Sequence, residues 1–452
     1  MTTKNGVVLT SWGQNVGGGH LLRTKKLATL LQSHKKIDFV FLNSETQGNT
    51  HNSSATTWQD ISEFRAIIAK YSFIIIDSYE VQDRHYQALL SELKSSNLRK
   101  KDFPKSILIL DDEASFLRFF TQVLTHSKHT SQNLSKLSNA LNRIFVLNGA
   151  LGGEKLLCDF MEDFTKTFAT HLAYRLDFGE DFAKSSEKLL RDFVKNNVFY
   201  GVRYFVANAD FDFARVSKRK RIKHILLTFG ASDSQNYTQT TINVLSQIIS
   251  TQKSTNHIFS PKVCAHIVLG EFYPHHLTLK SIKTKKPTNT PKMTHKIYQN
   301  LSTKDFATVM KNCDIAISAG GQSIYEIAQS ALPLVIIPTA TNQLAQSSAF
   351  AKKKAAILLD NRKNKPNLKP PKQAKNPKSP KIIEKSTKKK SIKEEKTLEI
   401  PSSSAFMHDL QSQLSQAILD LTPPNRANLS HNQKKLQIGK SAKKIAHRFF
   451  RA

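Results

Sequence analysis

The sequence predicts an α/β protein in which two Rossmann-like domains carry parallel sheets that face a central cleft. The chain has 452 residues, more than one ordinary hydrophobic core accommodates, so two domains are expected. Short β-branched runs alternate with helical patterns in both halves, which is typical of βαβ units around a parallel sheet. A charged stretch at 212–220 precedes a new strand, and we therefore expect domains at residues 1–212 and 213–452.

Five strands are predicted in each half of the chain. Most of them end at a polar residue or a glycine, as expected where the carboxyl ends of parallel strands form a crevice. The ten runs are 7–9, 39–42, 73–76, 107–110 and 144–147 in the first half, and 222–228, 263–269, 315–318, 334–337 and 356–359 in the second.

Four segments interrupt this alternation and look like additions to the two domains. Residues 114–142 and 154–198 are helical in pattern, whereas 280–300 and 361–400 are rich in lysine. The last of these is of low complexity and is predicted to be disordered. Residues 403–451 return to a helical pattern, so we interpret the disordered segment as a loop.

The net charge of +32 raises the question of nucleic acid binding. Half of this charge comes from two segments: residues 361–400 carry 14 Lys or Arg and 4 Glu, and residues 280–296 carry 6 Lys and no acid. The remainder is spread thinly, with no basic helix and no stripe of basic and aromatic residues. We therefore expect no specific nucleic acid partner, and only weak, salt-sensitive binding to polyanions.

The cysteines and the apolar runs bear on the cellular compartment. Cys158, Cys264 and Cys313 stand far apart, without the paired spacing of a zinc site or a disulfide framework. No run approaches the roughly 18 apolar residues of a membrane helix, and the N-terminus lacks a secretory apolar region. These features predict a cytoplasmic protein with no membrane partner, for which a monomer is the favoured state.

The first glycine motif, Gly17-Gly18-Gly19-His20, follows the first strand and leads into a helical pattern at 23–32. Glycines let the backbone approach a ligand, and a helix N-terminus offers free N–H groups. His20 adds a group that can accept a proton near neutral pH. We therefore predict a phosphate or sugar-phosphate site here, with the alternative that His20 only caps or packs the turn.

Two further strands of the first half end in acidic residues, Asp77-Ser78-Tyr79 and Asp111-Asp112. Asp77 and Tyr79 are placed to reach the same crevice. The alternative is that Asp77 or Ser78 caps a helix and Tyr79 is half-buried. Because no His or Cys stands near these acids in the sequence, we expect neither a metal site nor a cofactor.

The strongest motif lies at residues 314–333, where a buried strand, a glycine turn and a helix follow one another. Ser323 is predicted to cap the helix, and a diphosphate would bind at the helix N-terminus. A carboxylate one turn further on could hold a ribose diol. The residues expected to contact a nucleotide here are Gly320, Gly321, Gln322, Ser323 and Glu326. The alternative is a tight connection between helix and strand with no ligand.

Two more strand ends in the second half supply candidates. Gly230 and Ser232 lie in a turn after the first strand of the second domain, where nucleotide sites are common. Asn342 and Gln343 follow the strand at 334–337 and also face the predicted cleft.

Together these motifs resemble the UDP-sugar hydrolases of pseudaminic acid biosynthesis, which act on UDP-2,4-diacetamido-2,4,6-trideoxy-β-L-altropyranose. The resemblance extends over about 300 residues. It is carried by the residue runs Gly17–Arg23, Asp77–Tyr79, Asp111–Asp112, Gly201–Tyr204, Leu227–Asp233, Ile317–Gly321, Tyr325–Glu326 and Asn342–Gln343.

This resemblance implies a GT-B-like fold and a place in nonulosonic acid synthesis for flagellin glycosylation. It implies that His20 is the general base for attack of water on the anomeric carbon, with inversion and without a metal. The turn at 320–323 would stabilise the leaving UDP, Glu326 would hold the ribose, and Tyr79 and Asn342 would line the sugar pocket. Arg23 would contact a phosphate or a sugar amide.

The resemblance has one departure and leaves two other functions open. The family's closing segment carries an acid before a Gly-Lys-Gly turn, whereas this chain has Leu436-Gln-Ile-Gly-Lys-Ser441. A GT-B glycosyltransferase with a UDP-sugar donor would have the same nucleotide half but needs an acceptor site in the first domain. A non-catalytic binder of polyanions would depend on the basic segment at 361–400.

Overall fold

The computed structural model describes residues 6–12, 19–44, 58–94, 106–126, 131–174, 180–213, 219–251, 258–278, 292–359 and 404–451. The predicted loop at 361–400 and Gly17-Gly18 lie outside the described residues.

The first half of the described chain forms a parallel sheet in the order β2-β1-β3-β4-β5-β6. Its strands are β1 (Gly6–Thr10), β2 (Phe39–Asn43), β3 (Phe73–Asp77), β4 (Ser106–Leu110), β5 (Ile144–Asn148) and β6 (Val198–Tyr200). Its helices are α1 (Gly19–Gln32), α2 (Ile61–Lys70), α3 (Asp83–Lys94), α4 (Ser115–His126), α5 (Ser131–Leu141), α6 (Gly153–Tyr174) and α7 (Glu180–Asn197). The apolar strand runs are buried on both faces because helices cover the sheet from both sides.

The second half forms another parallel sheet, in the order β12-β11-β10-β7-β8-β9. Its strands are β7 (Ile222–Thr228), β8 (Phe259–Leu269), β9 (Lys292–Gln299), β10 (Ile315–Ser318), β11 (Leu334–Ile336) and β12 (Ile357–Leu358). Its helices are α8 (Tyr237–Thr251), α9 (Thr303–Lys311), α10 (Ser323–Gln329), α11 (Leu344–Lys352), α12 (Ser404–Leu419), α13 (Pro423–Lys435) and α14 (Lys443–Phe449).

These two sheets confirm the predicted α/β, GT-B-like fold. Among the described residues, no helix is both long enough and apolar enough to cross a membrane.

The structure corrects the prediction that 114–142 and 154–198 are additions to the first domain. Helices α4 and α5 connect β4 to β5, and α6 and α7 connect β5 to β6, so these segments are the crossover connections of the sheet itself. Strand β6 was not predicted, because it has three residues and directly follows a long helix.

The prediction that 280–300 is an addition is wrong for its second part, because 292–299 form β9 at the edge of the second sheet. Lys292 and Lys296 are exposed there, as is common for the charged residues that protect edge strands. An edge strand buries little apolar surface, so the hydrophobic pattern gave no strand signal.

Helix α14 returns from the second half of the chain to the first sheet. Ile445 and Phe449 are fully buried among Val8 and Phe73, and Ser106 donates its hydroxyl to the Phe449 carbonyl. The boundary predicted at 212 stays a prediction, but the final helix packs with the residues before that boundary.

The segment before α14, whose sequence departs from the family pattern, bonds to the turn of 3-10 helix at Val202–Tyr204. The Gly439 amide donates to the Val202 carbonyl over 3.0 Å, and the Ser441 amide donates to the Arg203 carbonyl over 2.7 Å. Its backbone therefore fixes the chain where it crosses between the two sheets.

Candidate functional site

A cleft of about 2240 Å³ lies between the carboxyl ends of the two sheets, and both halves of the chain line it. The glycine motifs face each other across this space because each follows the carboxyl end of a strand. Of the predicted site residues, those that line the cleft are Gly19, His20, Arg23, Tyr79, Gly230, Ser232, Gly321, Gln322, Ser323, Glu326, Asn342 and Gln343. Asp77 and Gly320 are buried behind its wall, and Gly18 lies outside the described residues.

His20 stands in the first turn of α1 and is held by the carboxylate of Asp77 at the end of β3. Strands β1 and β3 are neighbours, and Thr10 pairs with Asp77 in the register, so the helix that follows β1 begins beside this carboxylate. The distance from His20 Nδ1 to Asp77 Oδ1 is 2.7 Å, and Asp77 is fully buried. Because a carboxylate only accepts, Nδ1 carries the proton and Nε2 is left as the nitrogen that can take one.

No partner for His20 is identifiable from the sequence, whereas the structure places Asp77 beside it. The alternative in which Asp77 or Ser78 caps a helix is wrong, because α3 begins at Asp83. Ser78 instead shares a hydroxyl hydrogen bond of 2.6 Å with Ser11.

Arg23 lies one turn after His20 on α1 and joins two carboxylates. Its Nε donates to Asp77 Oδ2 over 2.6 Å, and its Nη2 donates to Asp77 Oδ1. Its Nη1 donates to Asp112 Oδ2 over 2.6 Å. The guanidinium therefore holds both oxygens of Asp77 and shares Oδ1 with His20.

The electrostatics of this cluster keep the carboxylate ionised. Burial raises the pKa of Asp77, but the positive charge of Arg23 and the interaction with His20 outweigh burial, so the pKa lies below its usual range. Burial likewise opposes the charge of Arg23, and Asp112 and Asp77 hold its pKa well above the usual value. Asp77 and Arg23 are therefore both charged at neutral pH.

Two other residues of the first domain have distinct positions. The Tyr79 ring meets the His20 ring edge to face, with centroids 4.6 Å apart, and 55% of Tyr79 is exposed. Asp111 is buried and accepts the amides of Ser115 and Phe116 over 2.8 and 2.9 Å, so it caps the start of α4.

Across the cleft, the turn between β10 and α10 is shaped by side chains behind it. The Gln343 Oε1 atom accepts the Gly320 amide over 2.9 Å and the Thr339 amide over 3.0 Å. Gln346 donates to the Gly320 carbonyl and accepts the Tyr325 hydroxyl over 2.9 Å. The Gln343 side chain therefore fixes this turn, although the residue also borders the cleft.

The two glycines of the turn face different surroundings. A Cβ atom on Gly320 would lie 2.3 Å from Ser347 Oγ, whereas one on Gly321 would meet nothing within 4 Å. Gly320 is thus required for packing, and Gly321 leaves the backbone open toward the cleft. The prediction that Ser323 caps α10 is wrong: it is the first helical residue, and the N-cap is Gln322 without a side-chain bond.

The remaining predicted residues border the cleft at three places. Gly230 has a φ of +87°, a conformation that favours glycine, and it begins the turn that carries Ser232. Asn342 lies in a single turn of 3-10 helix, Thr341–Gln343, and is exposed. Glu326 is largely buried and forms an ion pair with Lys26 of α1.

Lys26 and Gln346 are site residues that the sequence analysis missed. Lys26 continues the spacing of His20 and Arg23 on one face of α1, so helical periodicity was a usable signal. The contacts of Gln346 depend on how α11 packs behind the glycine turn, and no local pattern predicts that packing.

The fold and this cleft define a two-domain, GT-B-like protein whose second domain matches a known family model. Residues 219–399 match the model of the glycosyltransferase family 28 C-terminal domain.

Two curated proteins are similar to parts of the chain. One is the pseudaminic acid cytidylyltransferase and UDP-2,4-diacetamido-2,4,6-trideoxy-beta-L-altropyranose hydrolase of Helicobacter pylori, 30% identical over 39% of this chain and 28% of that protein. The other is the spore coat polysaccharide biosynthesis protein SpsG of Bacillus subtilis, 28% identical over 37% of this chain and 46% of that protein. The chain therefore spans less than half the length of these relatives.

Solved structures also resemble the whole chain at low identity. The MurG structure from Acinetobacter baumannii is 10% identical and covers 99% of this chain and 100% of that one, with a TM-score of 0.47. The structure of LpCGTa in complex with UDP is 11% identical and covers 99% of each chain, with a TM-score of 0.46.

Proposed function

We propose that this protein hydrolyses a UDP-linked 2,4-diacetamido-2,4,6-trideoxy sugar to the free sugar and UDP, in the cytoplasm and without a metal. The observation that carries the proposal is the anchoring of His20 by Asp77 at the wall of the cleft, with Nε2 left to accept a proton. The similarity to the Helicobacter pylori protein, whose name includes this hydrolase activity, supports the choice of substrate.

In the proposed reaction, water attacks the anomeric carbon and gives its proton to Nε2 of His20. The bond from the anomeric carbon to the phosphate oxygen breaks, and UDP leaves with the electron pair. Asp77 stabilises the imidazolium that forms, because its carboxylate already accepts the Nδ1 proton. The step inverts the anomeric configuration.

Binding of the leaving group is assigned to the second domain. The open backbone at Gly321, with Gln322 and Ser323, faces the cleft at the start of α10, where N–H groups and the helix dipole favour a diphosphate. Gly230 and Ser232 would border the same nucleotide. Glu326 would hold the ribose hydroxyls after exchanging its ion pair with Lys26.

Contacts to the sugar are assigned to the first domain and to the loop after β11. Gly18 and Gly19 would let the backbone approach the sugar phosphate, and Tyr79 and Asn342 would flank the sugar. Arg23 is engaged with two carboxylates, so its role is to position Asp77.

The test is UDP release from the UDP-2,4-diacetamido sugar with EDTA and without any acceptor. We expect His20→Ala to lower the rate by about 10²-fold or more, since a general base contributes about 10²–10⁴-fold. The matched control is His34→Ala, which should retain the rate, because His34 is an exposed histidine two residues after the end of α1. No release by the wild type, or equal release by His20→Ala, would sink the proposal.

A GT-B glycosyltransferase with a UDP-sugar donor is the second candidate. The match to the glycosyltransferase family 28 C-terminal domain favours it, and the cleft of about 2240 Å³ exceeds the space that one small ligand needs. The discriminating measurement is UDP release with and without a panel of sugar acceptors. Release that needs an acceptor identifies the transferase, whereas acceptor-independent release identifies the hydrolase.

A further inference from the structure

A cluster of nitrogen and sulfur ligands lies on one face of the second sheet, outside the cleft. His224 of β7 and Cys264 of β8 are paired in the register, and His266 is on the same face of β8 two residues further on. One ligand atom from each residue lies within 4.8 Å of the others, which makes this a candidate metal group among the described residues. No metal site was expected from the sequence, since the three cysteines lack the paired spacing of a zinc site; His224 and the Cys264-Ala-His266 run are separated along the chain by an entire helix.

The cluster is separate from the proposed hydrolase site. The cleft is lined by residues after the carboxyl ends of β7 and β8, and none of the three cluster residues borders it. His224 is the third residue of β7, close to the opposite end of that strand. The proposed reaction therefore makes no use of these side chains.

We propose that His224, Cys264 and His266 bind a borderline transition-metal cation of the Zn²⁺ class, with the fourth position open to water. Imidazole nitrogen and thiolate sulfur are the donors such cations prefer, whereas Mg²⁺ and Ca²⁺ require oxygen. The charges of Arg219, Lys223 and Lys296 act on the histidines and oppose any cation, so the proposed ion would be held by its bonds to nitrogen and sulfur rather than by charge attraction.

The spacing of the nitrogen donors fits this chemistry. His224 Nδ1 and His266 Nε2 are 3.0 Å apart. Two nitrogens about 2.0–2.1 Å from a tetrahedral zinc would be roughly 3.3 Å apart. The ion would take the place of the proton that the two rings share: His224 would carry its proton on Nε2 instead of Nδ1, and the Cys264 thiol proton would be released to solvent.

Tyr298 of β9 supplies the outer contact that histidine ligands normally have. Its hydroxyl lies 3.0 Å from His266 Nδ1, so it can accept the Nδ1 proton and leave Nε2 facing the cluster.

The experiment is titration of the full chain, stripped with chelator, with ZnCl₂ and with CoCl₂. We expect one tightly bound ion per chain and, for Co²⁺, the thiolate-to-metal charge-transfer absorption of a tetrahedral site. Cys264→Ser should abolish that absorption, and His224→Gln should weaken binding by 10-fold or more. Tyr298→Phe should weaken it by about 10-fold, as for other outer-contact residues.

Cys158→Ser is the matched control, because that thiol is exposed on α6 and should leave binding unchanged. Thermal melting of each metal-free variant identifies any that fail to fold. Absence of a tight site in the folded wild type, or binding that survives Cys264→Ser together with His224→Gln, overturns the proposal. UDP release is measured in parallel with EDTA, so failure of the hydrolase and failure of this site are separate outcomes.

Discussion

The two walls of the cleft are built by different means. On the first domain, buried side-chain charges form a connected set in which Asp77 accepts from both His20 and Arg23. On the second domain, the wall is backbone: the turn at Gly320 is held by glutamine amides from behind, and Gly321 is left open. Preorganised charged side chains favour proton transfer, whereas exposed backbone N–H groups favour binding of an anion. We therefore expect substitutions in the first wall to lower kcat and substitutions in the second wall to weaken nucleotide binding.

The largest expected effect is that of Asp77→Asn. The amide would donate where the carboxylate accepts, so His20 would lose the proton arrangement that leaves Nε2 basic. We expect kcat to fall by about 10²–10⁴-fold with little change in the affinity for UDP, because the second wall is untouched. Steady-state kinetics and calorimetry with UDP measure the two quantities. Equal losses in kcat and UDP affinity would show that the walls are not separable.

Substitutions of Gly320 and Gly321 give the next largest effect, and they change only the backbone turn of the second wall. Gly320→Ala places a Cβ atom 2.3 Å from Ser347 Oγ, so we expect Tm to fall by roughly 3–10 °C through overpacking. Gly321→Ala meets no protein atom, so Tm should hold while the added methyl obstructs the diphosphate and raises KM. Differential scanning calorimetry with kinetics tests the pair. A lower Tm for Gly321→Ala than for Gly320→Ala contradicts the assignment.

The Lys26–Glu326 ion pair joins the two walls of the cleft. If ribose must exchange with the ammonium group, Lys26→Met should tighten UDP binding by about 3-fold, and Glu326→Gln should weaken it by about 10-fold. Isothermal titration with UDP measures both constants. Weaker binding by Lys26→Met would assign Lys26 to the diphosphate instead.

The smallest effect concerns acid stability. The pKa of Asp77 lies below its usual value of 3.8 in the folded protein, so the ionised carboxylate stabilises the fold above that pH. This contribution is lost as the pH falls below 3.8 and through the lower folded pKa. Wild-type Tm should therefore fall more steeply over that interval than the Tm of Asp77→Asn. Parallel slopes for the two proteins would show that Asp77 carries no such contribution.

The basic segment offers a test at the level of function classes. Residues 361–400 lie outside the described residues, and their excess of Lys and Arg prompted the hypothesis of a polyanion binder. Deletion of this segment should leave UDP release unchanged if the protein is the proposed hydrolase. Absence of UDP release by the intact chain, together with polyanion binding that is lost on deletion, would favour the binder.

Local patterns predicted most of the fold, because the central strands are apolar runs buried on both faces. The strands that were missed, β6 and β9, lie at sheet edges: β6 has only three residues after a long helix, and β9 is largely exposed, so neither has a clear strand pattern. The helical crossovers at 114–142 and 154–198 were recognised as helices but not as parts of the sheet, since their length exceeds that of a usual connection.

The candidate site was predicted as a set of strand ends but not as a network. His20, Asp77 and Arg23 were each named as candidates. The bonds among them form because β1 and β3 are neighbours in the sheet, and the order of strands in a sheet cannot be read from the sequence. The same holds for Gln343, which turned out to bind the glycine turn from behind. Capping by Ser323 failed because the turn places Gln322, not Ser323, at the cap.

The packing of α14 sets the order in which the protein can be completed. Ile445 and Phe449 cover the same apolar surface that Val8 and Phe73 present, and the whole second sheet is encoded between these two pairs. During synthesis, α14 therefore cannot cover this apolar surface of the first sheet until the second domain has been translated. The first domain is therefore translated first, but its core is completed last. A nascent chain that stops before α14 would expose an apolar surface to which chaperones bind.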